Sequence, residues 1–301
     1  MHSTIWGVDL GGTKVEGVVL DPSDNSVVAR TRLATEADQG YKHVLQRIKS
    51  LTDKIAGEVG HYPGRLGIGT PGTLDPRTNV LKNSNSTVLN QKPFKQDLER
   101  ILGIPVEMAN DANCFALAEA RMGIVQEIDP LAKVVFGVIM GTGVGGGVVI
   151  NGELINGIQG IAGEWGHNFL DDSGGQCYCG KMGCVERIIS GTALQRYYHA
   201  LSGEPLTLKQ IMQKYQGGDP NALKTIERLI HFFGLGISSI INILDPDIIV
   251  LGGGVGNIDL LYTRGIEEAK KYTFNTRFDT KIVKPKLGDS AGVFGAAFLV
   301  A

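Results

Sequence analysis

One short stretch of this chain concentrates metal-binding chemistry. His167 is followed, after nine intervening residues, by Cys177-Tyr178-Cys179-Gly180-Lys181-Met182-Gly183-Cys184. Three thiolates and one imidazole form a complete tetrahedral set for Zn²⁺, and a set with no position left open is structural, not catalytic. Gly180 and Gly183 permit the tight loop that brings Cys184 back toward Cys179. The competing chemistry is a redox pair, but the spacing here is Cys-x-Cys and not the Cys-x-x-Cys of thioredoxin-like sites. Cys114 stands apart and reads as a small buried apolar residue. Around the cluster lie Glu164 and Glu186. Their carboxylates could accept hydrogen bonds from a hydroxyl-rich ligand or could be solvated surface.

Three glycine-rich turns offer a second chemistry. Runs of backbone N–H groups hold phosphate, and glycine lets the chain come close enough to present them. Gly7-Val8-Asp9-Leu10-Gly11-Gly12-Thr13-Lys14 nearly matches a P-loop, but Thr13 precedes Lys14 where Lys should come first, and Val15 to Leu20 reads as a strand where a helix should follow. Gly141-Thr142-Gly143-Val144-Gly145-Gly146-Gly147 contains the dinucleotide spacing, yet Val148 to Ile150 continues as strand, so that reading is weak too. A lone turn of this kind is most simply a type I′ hairpin connection. Two of them, with a strand ending at Gly252-Gly253-Gly254, point instead to a split nucleotide site. Asp9, at the end of the first strand, is either a turn residue or a carboxylate holding Mg²⁺ through water.

The third chemistry is acid–base. Asn110-Asp111-Ala112-Asn113 follows an apolar strand and opens a helix. Asn and Asp are favoured helix caps, which alone would explain them. Asp111 could also accept the proton of a substrate hydroxyl. A helix N-terminus should favour its ionised form and keep its pKa low. That suits phosphoryl transfer, whose loose transition state asks the carboxylate to orient the hydroxyl more than to deprotonate it early.

The elements that must position these groups are legible as patterns. Ile5 to Leu20 and Val134 to Ile150 are both strand, glycine turn, strand, with Gly11 and Gly141 lying 130 positions apart. A hairpin repeated at nearly half the chain suggests a duplicated fold. Tyr41, Val44, Leu45, Ile48, Leu51 and Ile55 fall at helical spacing between about Gly40 and Gly57. Short strands are expected over Leu66 to Gly69, Val106 to Ala109 and Ile248 to Leu251. Helices are expected over Ala112 to Met122, Ala222 to Leu244 and Ala291 to Ala301. The stripe of Ile226, Leu229, Ile230, Phe233, Ile237, Ile240, Ile241 and Leu244 is core packing.

Length and composition bound the rest. The chain has 301 residues, enough for two lobes. Its net charge of -2 gives no electrostatic case for nucleic acid or an anionic membrane. Met1 to Trp6 lacks the features of a signal peptide, and no uninterrupted apolar run reaches the ~20 residues of a membrane span. With three of the four cysteines clustered, the expected compartment is the cytoplasm.

Taken together and in order, Asp9-Leu10-Gly11-Gly12-Thr13-Lys14, Asn110-Asp111-Ala112-Asn113, Gly141-Thr142-Gly143, Glu164-Trp165-Gly166-His167, the cysteine run with Glu186, and Gly252-Gly253-Gly254 resemble the ROK family of bacterial sugar kinases and repressors. The resemblance spans nearly the whole chain, and its cysteine–histidine block is the most specific part. It implies an α/β, actin-like (ribonuclease H-like) fold of two lobes around a cleft: residues 1–112, with the helix of about 290–301 packing back on them, and residues 113–289 carrying the zinc loop. It places ATP phosphates at Asp9, Gly11, Gly12, Thr13, Lys14, Gly141, Thr142 and Gly143, adenosine at Gly252, Gly253 and Gly254, and Mg²⁺ with the nucleotide. Asp111 becomes the catalytic base. Gly72, Asn85, Asn110, Asp111, Glu164, His167 and Glu186 become sugar contacts, and His167 also joins Cys177, Cys179 and Cys184 on structural zinc. Leu81 to Thr87 and Cys177 to Lys181 look nearest the fructokinase (mannokinase) branch, which implies phosphorylation of the 6-hydroxyl of fructose; an N-acetylhexosamine or glucose kinase and a non-catalytic sugar sensor are the alternatives. Family repressors carry a helix-turn-helix ahead of the first turn, and Asp9 is only nine residues in. A homodimer is what the family suggests.

Overall fold

The computed structural model describes residues 4–84 and 86–301. Two compact units share the chain: residues 1–128, 152–162 and 286–301 form one, and residues 129–151 and 163–285 the other. The expected boundary at 112/113 falls inside the first unit.

In the first unit the hairpin expected from Ile5 to Leu20 is present. Strand β1 (Ile5–Leu10) pairs antiparallel with β2 (Lys14–Leu20), which pairs antiparallel with β3 (Val27–Ala34). On its other edge β1 runs parallel to β4 (Leu66–Thr70), and β4 to β7 (Val106–Asn110); two-residue strands β5 (Thr73–Leu74) and β6 (Leu81–Lys82) form a separate ribbon. The sheet order is therefore β3-β2-β1-β4-β7. β1 is apolar on both faces because helices cover both. Helix α1 (Tyr41–Val59) packs with Ile55 Cδ1 only 2.5 Å from where a Cβ at Gly17 would lie. On the opposite face, a Cβ at Gly7 or Gly67 would run into the backbone of the C-terminal helix, Ala291–Phe298. Glycine in those strands is thus the condition for a helix lying flat on the sheet. Helices α2 (Phe94–Leu102), α3 (Asp111–Arg121) and α4 (Ile124–Ile128) complete the unit.

The second sheet repeats the first. Strand β8 (Val134–Met140) pairs antiparallel with β9 (Val144–Ile150) and parallel with β11 (Ile248–Gly252), which runs parallel to β12 (Lys281–Val283). With the short β10 (Glu153–Ile155) the order is β10-β9-β8-β11-β12. Read from the edge, each sheet has its third, second, first, fourth and fifth strands in the same succession. β9 starts at Val144, so Gly145, Gly146 and Gly147 lie within the strand and not in the turn where they were expected. A Cβ at Gly146 would sit 2.8 Å from both Phe136 Cζ and Trp165 Cδ1, so this glycine makes room for packed rings.

Helices α5 (Glu186–Ile189), α6 (Gly191–Ser202), α7 (Leu208–Gln216), α8 (Pro220–Leu244), α9 (Gly253–Gly256) and α10 (Arg264–Lys270) belong to this second unit; α11 is the C-terminal helix already met. Asp219 caps α8 by accepting from Ala222 N at 2.8 Å, Pro220 opens it, and Asp245 ends it in the left-handed conformation before Pro246. This 25-residue helix is long and apolar enough to cross a membrane, but Ile226, Leu229, Phe233 and Ile237 are fully buried in the second core.

Candidate active site

β7 delivers its last residue, Asn110, directly into α3. The Asn110 side chain is the cap, accepting from Asn113 N at 2.7 Å. That leaves Asp111, the first helical residue, with no capping duty; one carboxylate oxygen accepts from the adjacent Ala112 N at 2.8 Å. Asp111, Asp9, Leu10, Gly11, Gly12, Pro71 and Ser86 line one pocket of about 370 Å³. The strand end, the first glycine turn and the acid at the strand–helix junction thus meet within the first unit. Leu10 belongs to the first turn's motif, Pro71 precedes the expected sugar contact Gly72, and Ser86 falls in the 81–87 segment, though none of the three was singled out as a site residue.

The electrostatics correct one expectation. Asp111 keeps an exposed surface within the pocket, yet it lies deep enough for desolvation to raise its pKa, outweighing the backbone N–H bonds that would lower it. The low pKa expected from the helix N-terminus is not what results. Asp9 is pushed up to about 6, first by burial and then by the charges of Asp111 and Glu16. Glu16 stands opposite Asp9 in the β1–β2 register and is bound by Arg30 Nε at 2.5 Å and Arg32 Nε at 2.7 Å. Asp9 is hemmed in by glycine: a Cβ at Gly292 would lie 3.1 Å from its carboxyl, and one at Gly69 would lie 3.3 Å away. Two neighbouring carboxyls raised together form a place where a divalent cation would relieve the repulsion.

The first turn is held by backbone and one hydroxyl. Gly11 N donates to Lys14 O at 2.9 Å, Thr35 N to Thr13 O at 3.0 Å, and Thr35 Oγ1 to Gly11 O at 2.8 Å. Gly12 and Thr13 are exposed, and Lys14 lies 3.8 Å from Glu16. The second turn is latched by two side chains and one backbone bond. Val144 N donates to Glu186 Oε2 at 3.0 Å, Gly191 N to Gly141 O at 2.8 Å, and Thr192 Oγ1 to Thr142 O at 2.6 Å. Neither turn is the type I′ connection expected of a bland hairpin, which needs positive φ; Gly11, Gly12, Gly141 and Gly143 all lack it. A Cβ at Gly141 would meet nothing within 4 Å. Neither a positive φ nor packing requires glycine there.

Gly253, at φ +78°, packs on Met140 at the end of β8, so Gly252, Gly253 and Gly254 stand beside the Gly141 turn. Thr192 was missed by sequence reasoning, since a threonine opening a helix is an ordinary sight.

The cysteine run closes as expected. His167, Cys177, Cys179 and Cys184 place their ligand atoms within 4.8 Å of one another. Cys179 Sγ lies 3.6 Å from Cys184 Sγ, and Cys177 Sγ lies 3.7 Å from His167 Nδ1. A tetrahedron with Zn–S bonds of ~2.3 Å has edges of roughly 3.8 Å, so the set is open by the amount zinc needs and far too open for a disulfide. The four residues fit zinc, with Nδ1 the inward nitrogen of His167. Cys184 is followed at once by α5, whose first residue is Glu186, so metal loop and second turn are one continuous assembly.

Gly72 has φ +108°, and a Cβ there would lie 2.8 Å from Ser84 N, so this glycine shapes the turn after β4. Glu164 immediately precedes the turn of helix that carries Trp165 and His167. Asn85 lies outside the described residues.

Comparison with known proteins agrees with this construction. The ROK family matches residues 5–301. The N-acetyl-D-glucosamine kinases of Pasteurella multocida (strain Pm70) and Vibrio cholerae are 37% and 35% identical to the chain over 98% of each sequence. Among solved structures, a ROK hexokinase from Thermus thermophilus matches with a TM-score of 0.89 at 31% identity, covering 98% of this chain and 97% of that one. A ROK glucokinase from Streptomyces griseus, in complex with glucose and AMPPNP, matches with a TM-score of 0.77 at 28% identity over 98% of both. With its motifs in order, its duplicated sheets and a match over almost its whole length, the chain belongs to the ROK family and has the mixed α/β fold of actin-like ATPase sugar kinases.

Proposed function

We propose that this protein is an ATP-dependent hexose kinase that phosphorylates the 6-hydroxyl of N-acetylglucosamine. The observation that carries the phosphotransferase reading is the pocket in which Asp111, relieved of capping by Asn110, shares a wall with Asp9 and the Gly11–Gly12 turn. Asp111 accepts a hydrogen bond from the attacking hydroxyl and takes its proton late, when phosphoryl transfer is well advanced. A carboxyl raised by desolvation is a better proton acceptor than a fully solvated one, which suits it to that step. The turns at Gly11–Thr13 and Gly141–Gly143 present backbone N–H groups to the nucleotide phosphates. Asp9 would hold Mg²⁺ through water, and the cation would supply charge neutralisation for the polyphosphate. Zinc on His167, Cys177, Cys179 and Cys184 would brace the loop bearing Glu164 and Glu186, which with His167 are the sugar contacts proposed in the second unit; Gly72 and Asn110 are those proposed in the first.

Fructose was the substrate suggested by the 81–87 and 177–181 segments. The relatives support N-acetylglucosamine instead, since sequences 33–37% identical to this chain are named N-acetyl-D-glucosamine kinases. Specificity constants for N-acetylglucosamine, glucose, fructose and mannose, from a coupled ADP-release assay, test the reading. N-acetylglucosamine should lead. A lead for fructose or glucose would move the substrate, and no sugar-dependent ADP release from any of the four would end the kinase proposal.

A further inference from the structure

Tyr178 lies between two of the cysteines and is itself no metal ligand. The residue is 79% exposed, yet its hydroxyl lies 3.0 Å from His167 Nε2, with the two rings edge to face at 5.2 Å. His167 turns Nδ1 inward to Cys177 Sγ. A metal on Nδ1 leaves the imidazole one N–H, on Nε2, pointing at the tyrosine oxygen. One tyrosine hydroxyl therefore sits on His167, a side chain assigned above to the sugar hydroxyls.

We propose that Tyr178 is an internal stand-in for the sugar, its hydroxyl occupying the His167 Nε2–H that a hexose hydroxyl takes on binding. The inference rests on the sugar-kinase reading and deepens it. The reason for competition is stoichiometric: a metal-bound imidazole has a single donor, and two oxygens cannot both receive it at full strength. Sugar must displace Tyr178, and the displacement subtracts from sugar affinity. A ligand that lacks a hydroxyl at that position leaves the tyrosine bond in place, so the tyrosine lowers the affinity specifically for sugars that carry one.

The test is equilibrium binding of N-acetylglucosamine by calorimetry to the zinc-loaded full chain and to Tyr178→Phe, with zinc content measured on both. The variant keeps the ring and removes the competing oxygen, so its Kd should fall about two- to tenfold, the value of one net hydrogen bond. An unchanged or weaker Kd, with zinc at one per chain, overturns the proposal. Tyr178→Leu serves the same comparison if the Phe variant loses metal. In the unmodified protein, sugar should also perturb the tyrosine absorbance band as the hydroxyl leaves the imidazole; a band that does not move overturns the proposal independently. Failure of the unmodified protein to bind any hexose would instead overturn the kinase reading, and the two failures are thereby distinguished.

Discussion

The two hairpins share a plan and have been put to different uses. Each joins the first two strands of a five-stranded mixed sheet with the same strand succession. Before the first turn stands Asp9, one residue from the end of β1; the corresponding place at the end of β8 is held by Ile139. The first turn is held by a neighbouring strand end through Thr35 and is surrounded by carboxyls. The second has no carboxyl on its own strand and is held from outside by Glu186, Gly191 and Thr192, which follow directly on the metal loop. A duplicated backbone thus carries two glycine turns, one set among carboxyls and the other held from outside its own hairpin.

That contrast can be broken most severely at Asp111. Asp111→Asn should lower kcat by ~10²–10⁴-fold while leaving the melting temperature close to the parent's, because Asn110 keeps the cap. A stable variant with near-normal turnover in the coupled assay would remove the first turn's claim to the chemistry. Next is the metal. Dialysis against a strong chelator should lower the melting temperature by about 5 °C or more and raise amide exchange around residues 167–187 and Val144, with the region around Asp111 unaffected. Purified protein should contain close to one zinc per chain, and well under one would defeat the assignment.

Gly141→Ala sharpens the difference between packing and ligand demand. Its Cβ would enter open space, so stability should change by under about 0.5 kcal/mol, while KM for ATP rises about tenfold through a lost charge-assisted contact. A fall in stability without a change in KM would mean the glycine serves the fold. Thr192→Val should raise KM for ATP about threefold and leave KM for sugar alone, with Thr192→Ser restoring the parent value.

The smallest effect is electrostatic and belongs to the first turn. Because the folded protein binds a proton at Asp9 with a pKa of about 6, and the unfolded chain releases it near the ordinary 3.8, ionised Asp9 opposes folding. Its cost is absent below pH 4 and grows as pH rises through 6, and the raised Asp111 acts in the same direction. Metal-free protein should therefore gain on the order of 1 kcal/mol between pH 7.5 and pH 5 from Asp9 alone. Chemical denaturation of Asp9→Asn should show that slope flattened.

The chain by itself determined the metal set, since four ligands of the right chemistry within one loop need little tertiary help to converge. It also determined the hairpins, α1 and α8, whose periodicities are long enough to be unambiguous, and the order of motifs that marks the family. It did not determine that Gly145 to Gly147 lie in a strand, because a glycine run reads as a turn until the rings of Phe136 and Trp165 are seen to need the room. Nor did it show which of Asn110 and Asp111 caps the helix, since that depends on Asn110 staying extended while Asp111 turns helical. The raised pKa values of Asp9 and Asp111 were likewise out of reach. Local sequence supplies the helix N-terminus that lowers such a pKa, whereas desolvation and like-charge repulsion depend on residues about a hundred positions away being folded against it.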